Sequence, residues 1–165
     1  MLASCSGQGS GASQPLFDVH REFILQSSVL HADETPVRLL DPGAGKTKRA
    51  YVWAYASSKF DPLPGVAYDF CLGRSGKYAV AFLGDWCGTL VRDEFRGYES
   101  VVKLHKRKAA GCLAHARRKF DELIRDNQSP VALATRLRIQ RSVSTTSLAA
   151  TSSTCCVVGW FQFSP

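Results

Sequence analysis

The order in which strand-like and helix-like segments follow one another restricts the fold of this chain more than any other feature of its sequence. A short amphipathic helix is predicted over residues 15–27, and three strand-like segments then follow without a helix between them. From Ser75 onward, helical and strand-like segments alternate. The successive segments are strands at 29–35, 49–56 and 66–72, a helix from Ser75, a strand at 88–95, a helix at 97–106, a strand at 109–114 and a helix at 115–126. Such an order is typical of an α/β protein in which helices flank a mixed sheet.

The two end segments do not share this pattern, so the chain divides into three parts. Residues 1–14 are small and polar and are expected to form a flexible lead-in to a domain at residues 15–133. Residues 134–165 are rich in Ser and Thr, contain no acidic residue and show no periodicity. We expect this last segment to be disordered. The α/β domain would then be incomplete at its C-terminus, with an apolar face left uncovered.

The charge of the chain favours a polyanionic partner. The 165 residues carry a net charge of +7, with an isoelectric point near 9.3. This suits nucleic acid, although solubility alone would also explain it. No apolar run approaches the roughly 20 residues of a membrane-spanning helix, so we expect no membrane partner. The six cysteines show no paired spacing and the first residues no signal-peptide pattern, so a reducing cytoplasm is the expected location.

Two aspartates, Asp33 and Asp93, occupy matching places near the ends of predicted strands. If the two strands are neighbours, the carboxylates converge on one edge of the sheet. Carboxylates in such a place can hold two Mg²⁺ ions, which activate the nucleophile and stabilise the leaving oxygen in phosphoryl transfer. The alternative is that both residues are turn acids in solvent. Glu34 is a weaker candidate for a metal ligand, because successive strand residues point to opposite faces of a sheet.

A basic segment without any acidic residue extends from Lys103 to Lys119. Its cations would neutralise DNA phosphates and give salt-sensitive affinity that does not depend on base sequence. The alternative is that they form a solvated helix face. The residues expected to bind DNA are Lys103, Lys106, Arg107, Lys108, Arg117, Arg118 and Lys119. Cys112 and His115 have the spacing of zinc ligands, but the sequence offers no second pair to complete a zinc site.

The segment Gly-Ala-Gly-Lys-Thr at residues 43–47 invites interpretation as a phosphate-binding loop. The full motif requires glycine at the position of Leu40, and it requires a helix where this chain has a strand-like segment. We therefore predict a hairpin connection with a basic tip. Lys46, Lys48 and Arg49 near this tip either contact a DNA backbone or are solvated.

Six aromatic residues lie on faces that are predicted to be buried. They are Trp53, Tyr55, Tyr68, Phe70, Phe82 and Trp86. We expect these side chains to pack in the core rather than to stack on nucleic-acid bases.

Three segments carry a family resemblance, namely VLHADETPVRLLDPGAGKTKRAYVWAYAS, FLGDWCGTLVRDEFRGY and GCLAHARRKFDEL. Together they resemble the catalytic core of bacterial insertion-sequence transposases of family sixty-six, over about residues 10 to 130. These enzymes belong to the DDE superfamily and have a ribonuclease-H-like fold. The resemblance implies that Asp33 is the first catalytic aspartate and Asp93 the second, both as Mg²⁺ ligands. It also implies that the first and fourth strands lie side by side, and that transposon ends and target DNA are the substrates of strand cleavage and transfer.

The chain departs from this family in ways that bear on activity. The family's third acid is a glutamate on a later helix within an N-x-x-E segment, whereas no acidic residue follows Asp126 here. The family's DNA-binding and zinc-binding elements would precede this chain. A frameshift or insertion near Ala134 would explain the composition of the last segment. Because in-line chemistry needs a complete ligand set, we expect a truncated core that does not transfer strands.

A non-enzymatic alternative is a DNA-binding remnant that interferes with an intact transposase, either by association with it or as a homo-oligomer. A further alternative is a product that folds badly and has no function.

Overall fold

The computed structural model describes residues 11–41, 43, 45–105, 107–127 and 129–145, in which three consecutive strands are followed by alternating helices and strands and then by two helices. The strands are β1 (Val29–Asp41), β2 (Lys46–Ser57), β3 (Val66–Cys71), β4 (Thr89–Arg92) and β5 (Lys108–Gly111). The helices are α1 (Gln14–Ile24), α2 (Gly76–Leu83), α3 (Tyr98–Lys103), α4 (Leu113–Asn127) and α5 (Pro130–Thr145). Residues 1–10 of the expected lead-in lie outside the described residues.

The five strands form one mixed sheet in the order β3-β2-β1-β4-β5. β1 pairs antiparallel with β2, β2 pairs antiparallel with β3, and β1 pairs parallel with β4. The predicted α/β class with a mixed sheet is therefore confirmed, and the strand order is consistent with a ribonuclease-H-like fold. The first and fourth strands lie side by side, as the family resemblance implies.

The hydrophobic core lies between one face of the sheet and the helices α1, α2 and α3. Trp53 and Tyr55 on β2 point into it and are fully buried. The rings of Trp53 and Tyr98, the latter from α3, meet edge to face with their centres 5.6 Å apart. The ring of Tyr55 stacks on that of Phe82 from α2 with the ring centres 3.8 Å apart. Large aromatic side chains dominate core energetics, so these two contacts hold α2 and α3 against β2.

Strand β3 differs from the predicted burial. Tyr68 and Phe70 were expected in the core, but they are 55% and 53% exposed, whereas Ala67 before them and Cys71 after them are buried. Ala67 pairs with Tyr55 in the sheet register. Because the rings of β2 fill the core at this level, the facing positions of β3 accept only small side chains, and its aromatic residues point outward.

The connection between β1 and β2 is a hairpin, which confirms the interpretation of residues 43–47. The two strands remain paired up to Asp41 and Lys46. Gly43 and Gly45 have positive φ angles of 88° and 62°, which side chains with a Cβ atom rarely adopt. A phosphate-binding loop is excluded here, because a strand and not a helix follows the glycines.

Two compact units meet between Ala109 and Ala110 along the chain. In the second unit, α4 and α5 pack against each other, and Arg136 Nε forms an ion pair with Asp121 Oδ1 at 2.8 Å. Helix α5 continues to Thr145, so residues 134–145 are helical where we expected disorder; residues 146–165 lie outside the described part. No helix among the described residues is long and apolar enough to cross a membrane.

Candidate metal centre

Asp33 and Asp93 lie close to the point where strands β1 and β4 pair. The paired residues Val29 and Thr89, and likewise His31 and Val91, differ by sixty in residue number. Asp33 and Asp93 differ by the same sixty positions and lie two residues beyond the last of these pairs. Asp33 is the fifth of the thirteen residues of β1, and Asp93 is the first residue after β4. If the parallel register continued beyond its last pair, the two positions would be neighbours.

Backbone N–H groups orient both carboxylates. The N–H of Glu34 donates to Asp33 Oδ1 at 3.0 Å, and the N–H of Phe95 donates to Asp93 Oδ1 at 2.9 Å. The second of these bonds closes a local turn immediately after β4, of the type that aspartate favours. Within the described part of the chain, no donor binds the Oδ2 atom of either aspartate.

The side chain of Glu34, the next residue on β1, points to the other face of the sheet and is hydrogen-bonded there. Its side chain is fully buried. Arg74 donates to Oε1 from Nε at 2.8 Å and from Nη2 at 2.6 Å, and the Tyr98 hydroxyl donates to Oε2 at 2.8 Å. The Arg74 guanidinium also lies 4.0 Å from the centre of the Phe95 ring. Both carboxylate oxygens of Glu34 therefore have protein partners.

The electrostatics link this network to the two aspartates. Burial raises the pKa of Glu34, the hydrogen bonds from Arg74 and Tyr98 oppose that shift, and the charge of Asp93 adds to it. Burial and the charge of Glu34 raise the pKa of Tyr98, with a further contribution from Asp33. The charges of Asp33 and Asp93 thus both act on the Glu34–Arg74–Tyr98 group.

His31 lies on the same face of β1 as Asp33, two residues earlier. Burial lowers its pKa to about 4, so its imidazole is neutral at pH 7. A neutral imidazole adds no positive charge beside Asp33.

The donor set at this edge suits magnesium. Mg²⁺ prefers oxygen ligands and is usually held by one or two carboxylates, with waters and substrate phosphates completing its shell. Asp33 and Asp93 provide two such carboxylates. Among the described residues, no group of three or more His, Cys, Asp and Glu side chains is arranged to hold a metal ion.

The residues predicted to bind DNA occupy several places. Lys103 ends α3 and Lys108 begins β5, and both are exposed in the first unit. Lys106 lies outside the described residues. Arg117, Arg118 and Lys119 are exposed on α4 in the second unit. Successive helical residues are about 100° apart around the axis, so these three side chains do not share one face.

Arg107 is different from the other members of the basic segment, because it is buried. Its guanidinium donates to the carbonyl oxygens of Trp86 at 2.8 Å and Val101 at 3.0 Å, and also to that of Gly84. Burial lowers its pKa. These bonds tie the end of α2 and the end of α3 to β5, and Arg107 has no free guanidinium edge for a phosphate.

Sequence reasoning did not find Arg74, and it assigned no chemistry to Tyr98. Arg74 stands in a Gly- and Ser-rich turn that carries no recognisable motif, and its partner is forty positions away along the chain. The family segment LVRDEFRGY includes Tyr98 and was the available signal for that residue.

Comparison with known proteins assigns the family. Residues 1–151 match the family described as Transposase IS66 family. The chain belongs to the IS66 transposase family. The match extends beyond Ala134, where we expected the family pattern to end.

Relatives of this IS66 chain include three uncharacterized proteins of Sinorhizobium fredii (strain NBRC 101917 / NGR234). Protein y4jD is 35% identical over 131 residues, which is 73% of this chain and 25% of the relative. Protein y4qI is 33% identical over 135 residues, which is 74% of this chain and 25% of the relative. Protein y4hP is 29% identical over 133 residues. The IS66 chain therefore spans about a quarter of the length of these relatives.

Proposed function

We propose that this IS66 chain contributes two Mg²⁺ ligands, Asp33 and Asp93, to the active site of a DDE transposase that cleaves and joins DNA strands. The observation that carries the proposal is the parallel pairing of β1 and β4 up to His31 and Val91, which lie two residues before Asp33 and Asp93. Family membership supplies the reaction class, and the carboxylate oxygens supply the chemistry that Mg²⁺ requires.

The chain's own residues hold and orient the two ligands. The N–H groups of Glu34 and Phe95 each donate a hydrogen bond to one oxygen of Asp33 and Asp93, respectively. Each bond fixes the orientation of its carboxylate and therefore also the direction of the second oxygen. Arg74 and Tyr98 anchor Glu34 in the core, which fixes β1 at the residue after Asp33. Bound Mg²⁺ would stabilise charge on the phosphoryl oxygens and activate the attacking oxygen.

We further infer that the 165-residue polypeptide by itself binds Mg²⁺ and DNA but does not transfer strands. No acidic residue follows Asp126, so the sequence offers no match for the third acid. In-line displacement needs ligands held in a fixed geometry, and two carboxylates leave the metal shell incomplete.

The first experiment measures metal binding by isothermal titration of Mn²⁺ and Mg²⁺ into the wild type and the variants Asp33→Asn and Asp93→Asn. Substitution of a residue that only supports a metal ligand typically lowers metal affinity by about 10–100-fold. Loss of a direct ligand in either variant should therefore lower the affinity for Mn²⁺ and Mg²⁺ by at least about tenfold. Asp85→Asn is the matched control, because the Asp85 side chain is 97% exposed and lies outside the centre. Equal affinity in the wild type and Asp33→Asn would remove the proposal.

A second candidate function is that of a non-enzymatic DNA-binding protein that interferes with an intact transposase. The exposed positions of Lys103, Lys108 and the α4 cations favour it. A strand-transfer assay with an intact IS66 transposase, to which the chain is added, separates the two. Inhibition that persists in Asp33→Asn would support the binding function, because that variant keeps every cation.

A further inference from the structure

The β1–β2 hairpin extends beyond the rest of the sheet as a two-stranded ribbon. β3 pairs with β2 only from Tyr51 to Ala56, and β4 pairs with β1 only from Val29 to His31. Residues 37–41 and 46–50 pair only with each other, and we call these ten residues the basic ribbon. Five pairs at about 3.4 Å per residue make it about 17 Å long. A two-stranded ribbon without further strands is only marginally stable in water. The extension of the hairpin beyond the sheet therefore does not serve the stability of the fold.

The basic ribbon carries more positive charges than its own acidic residue can pair. It carries Arg38, Lys46, Lys48 and Arg49, all exposed, against one acid, Asp41. Asp41 is already paired with Lys48 at 2.8 Å. Arg38 lies directly opposite Arg49 in the register, and neither forms an ion pair with an acidic side chain of the described residues. Like charges opposite each other destabilise an antiparallel pair, so this arrangement suits an anionic partner between or beside the two guanidinium groups.

The basic ribbon shares strand β1 with the candidate metal ligand Asp33, which lies five residues before Arg38. Because side chains alternate along a strand, this odd separation directs the Arg38 and Asp33 side chains to opposite faces of β1. Arg49, directly opposite Arg38 in the register, lies on the same face as Arg38. The major groove of B-DNA is about 12 Å wide and admits a two-stranded β-ribbon. The ribbon therefore has the charge and the two-stranded form that a duplex groove admits.

We propose that the basic ribbon binds duplex DNA, with Arg38 and Arg49 contacting its phosphates. The contact rests on the ribbon's own charge and register and does not depend on the proposed metal centre. Arginine contacts phosphate oxygens through paired N–H groups, which fixes the register of the duplex without reading its base sequence.

The test compares two double variants of the full chain that each remove two positive charges. Arg38→Gln/Arg49→Gln changes the basic ribbon, and Lys59→Gln/Lys77→Gln changes two exposed lysines elsewhere in the same unit. Anisotropy of a labelled duplex gives the affinity between about 50 and 200 mM salt. Loss of two phosphate contacts should lower the magnitude of the slope of log K against log salt by about 2 in the ribbon variant. The lysine control should change the slope much less.

Equal slopes for the two double variants would overturn the proposal, as would an unchanged affinity of Arg38→Gln/Arg49→Gln. Equal loss of affinity for single-stranded DNA and for duplex would also overturn it, because a groove contact requires a duplex. Circular dichroism and thermal unfolding check that the ribbon variant is folded. Its Mn²⁺ affinity should equal that of the wild type. A chain that binds duplex through the ribbon, but whose Asp33→Asn variant binds Mn²⁺ normally, would lose the proposed function and keep the ribbon contact.

Discussion

Glu34 is a buried carboxylate next to a candidate metal ligand, and its partners determine what it does. A buried charge is tolerated when it is paired and when its remaining oxygen is hydrogen-bonded. Arg74 provides the first condition and the Tyr98 hydroxyl the second. Removal of one partner is costly, since it leaves the other charge buried without compensation. Arg74 is therefore a structural residue of the first unit, although its side chain is 45% exposed.

The Glu34–Arg74 pair gives a prediction for stability. Arg74→Ala should lower the free energy of unfolding by about 2 kcal/mol or more, because Glu34 then remains buried without its cation. The double variant Glu34→Gln/Arg74→Ala should be destabilised by less than the sum of the two single variants, since no unpaired charge remains. Urea denaturation of the four proteins measures the coupling. Additive effects would show that the pair contributes nothing beyond its separate side chains.

At this scale, sequence reasoning selected candidate residues by their place along predicted strands and missed residues whose role depends on a distant partner. Asp33 and Asp93 were selected near the ends of predicted strands; Asp93 does follow β4, whereas β1 continues beyond Asp33 to Asp41. Arg74 has a role only because folding brings it to Glu34, and no local spacing encodes that meeting. Arg107 belongs to the basic segment, yet its guanidinium donates its hydrogen bonds to backbone carbonyl groups. The sequence of the basic segment does not predict these bonds.

At the scale of elements, the contact between α2 and the start of α3 depends on a glycine. A Cβ atom on Gly76 would lie 2.0 Å from the carbonyl oxygen of Gly97 and 2.9 Å from Ser100 Oγ. The first of these neighbours is backbone and cannot rotate away. The Ser75 side chain accepts a hydrogen bond from the N–H of Lys77 and fixes the start of α2 at this point. The helix can thus approach α3 only because residue 76 has no side chain.

Gly76→Ala should therefore destabilise the protein by about 2 kcal/mol, within the range of about 1–3 kcal/mol for overpacked sites. Gly73→Ala is the matched control, because its Cβ would meet Tyr78 at an ordinary contact distance of 3.5 Å. That control should change the free energy of unfolding by less than about 0.5 kcal/mol. Denaturant midpoints compare the two. A midpoint of Gly76→Ala equal to that of Gly73→Ala would contradict the close approach.

Helices and strands were predictable where apolar residues recur with a clear period. They were less predictable where tertiary packing determines which face is buried. The helix that Ser75 caps and the four longest predicted strand segments are present. Strand β3 was predicted, but its buried face was assigned wrongly: Tyr68 and Phe70 are exposed and the small residues are buried. The rings of β2 leave room only for small side chains on the facing side of β3, so hydrophobicity alone does not predict which face is buried. Helix α5 was missed, because the segment from Ala134 has no acidic residue and shows no clear apolar period; the helix packs against α4.

At the scale of the whole molecule, positive charge is distributed over both compact units. Lys103, Lys108 and the basic ribbon belong to the first unit, and the exposed cations of α4 belong to the second. Phosphate contacts from either unit release counterions, and each contact adds about 0.9 to the salt slope of duplex binding. The slope of suitably grouped variants therefore reports which unit meets DNA, without any assumption about how the two units are arranged.

Two double variants with equal charge loss should give different slopes. Lys103→Gln/Lys108→Gln should lower the magnitude of the salt slope by about 2, if both exposed lysines contact phosphates. Arg117→Gln/Arg118→Gln should lower it by only about 1, because neighbouring helical side chains point about 100° apart and one DNA surface meets only one of them. Anisotropy titrations over a salt series, with Lys59→Gln/Lys77→Gln as the control for net charge, give the three slopes. Slopes equal to that of the wild type in both test variants would mean that these cations are solvated faces, and DNA binding would then depend on the basic ribbon alone.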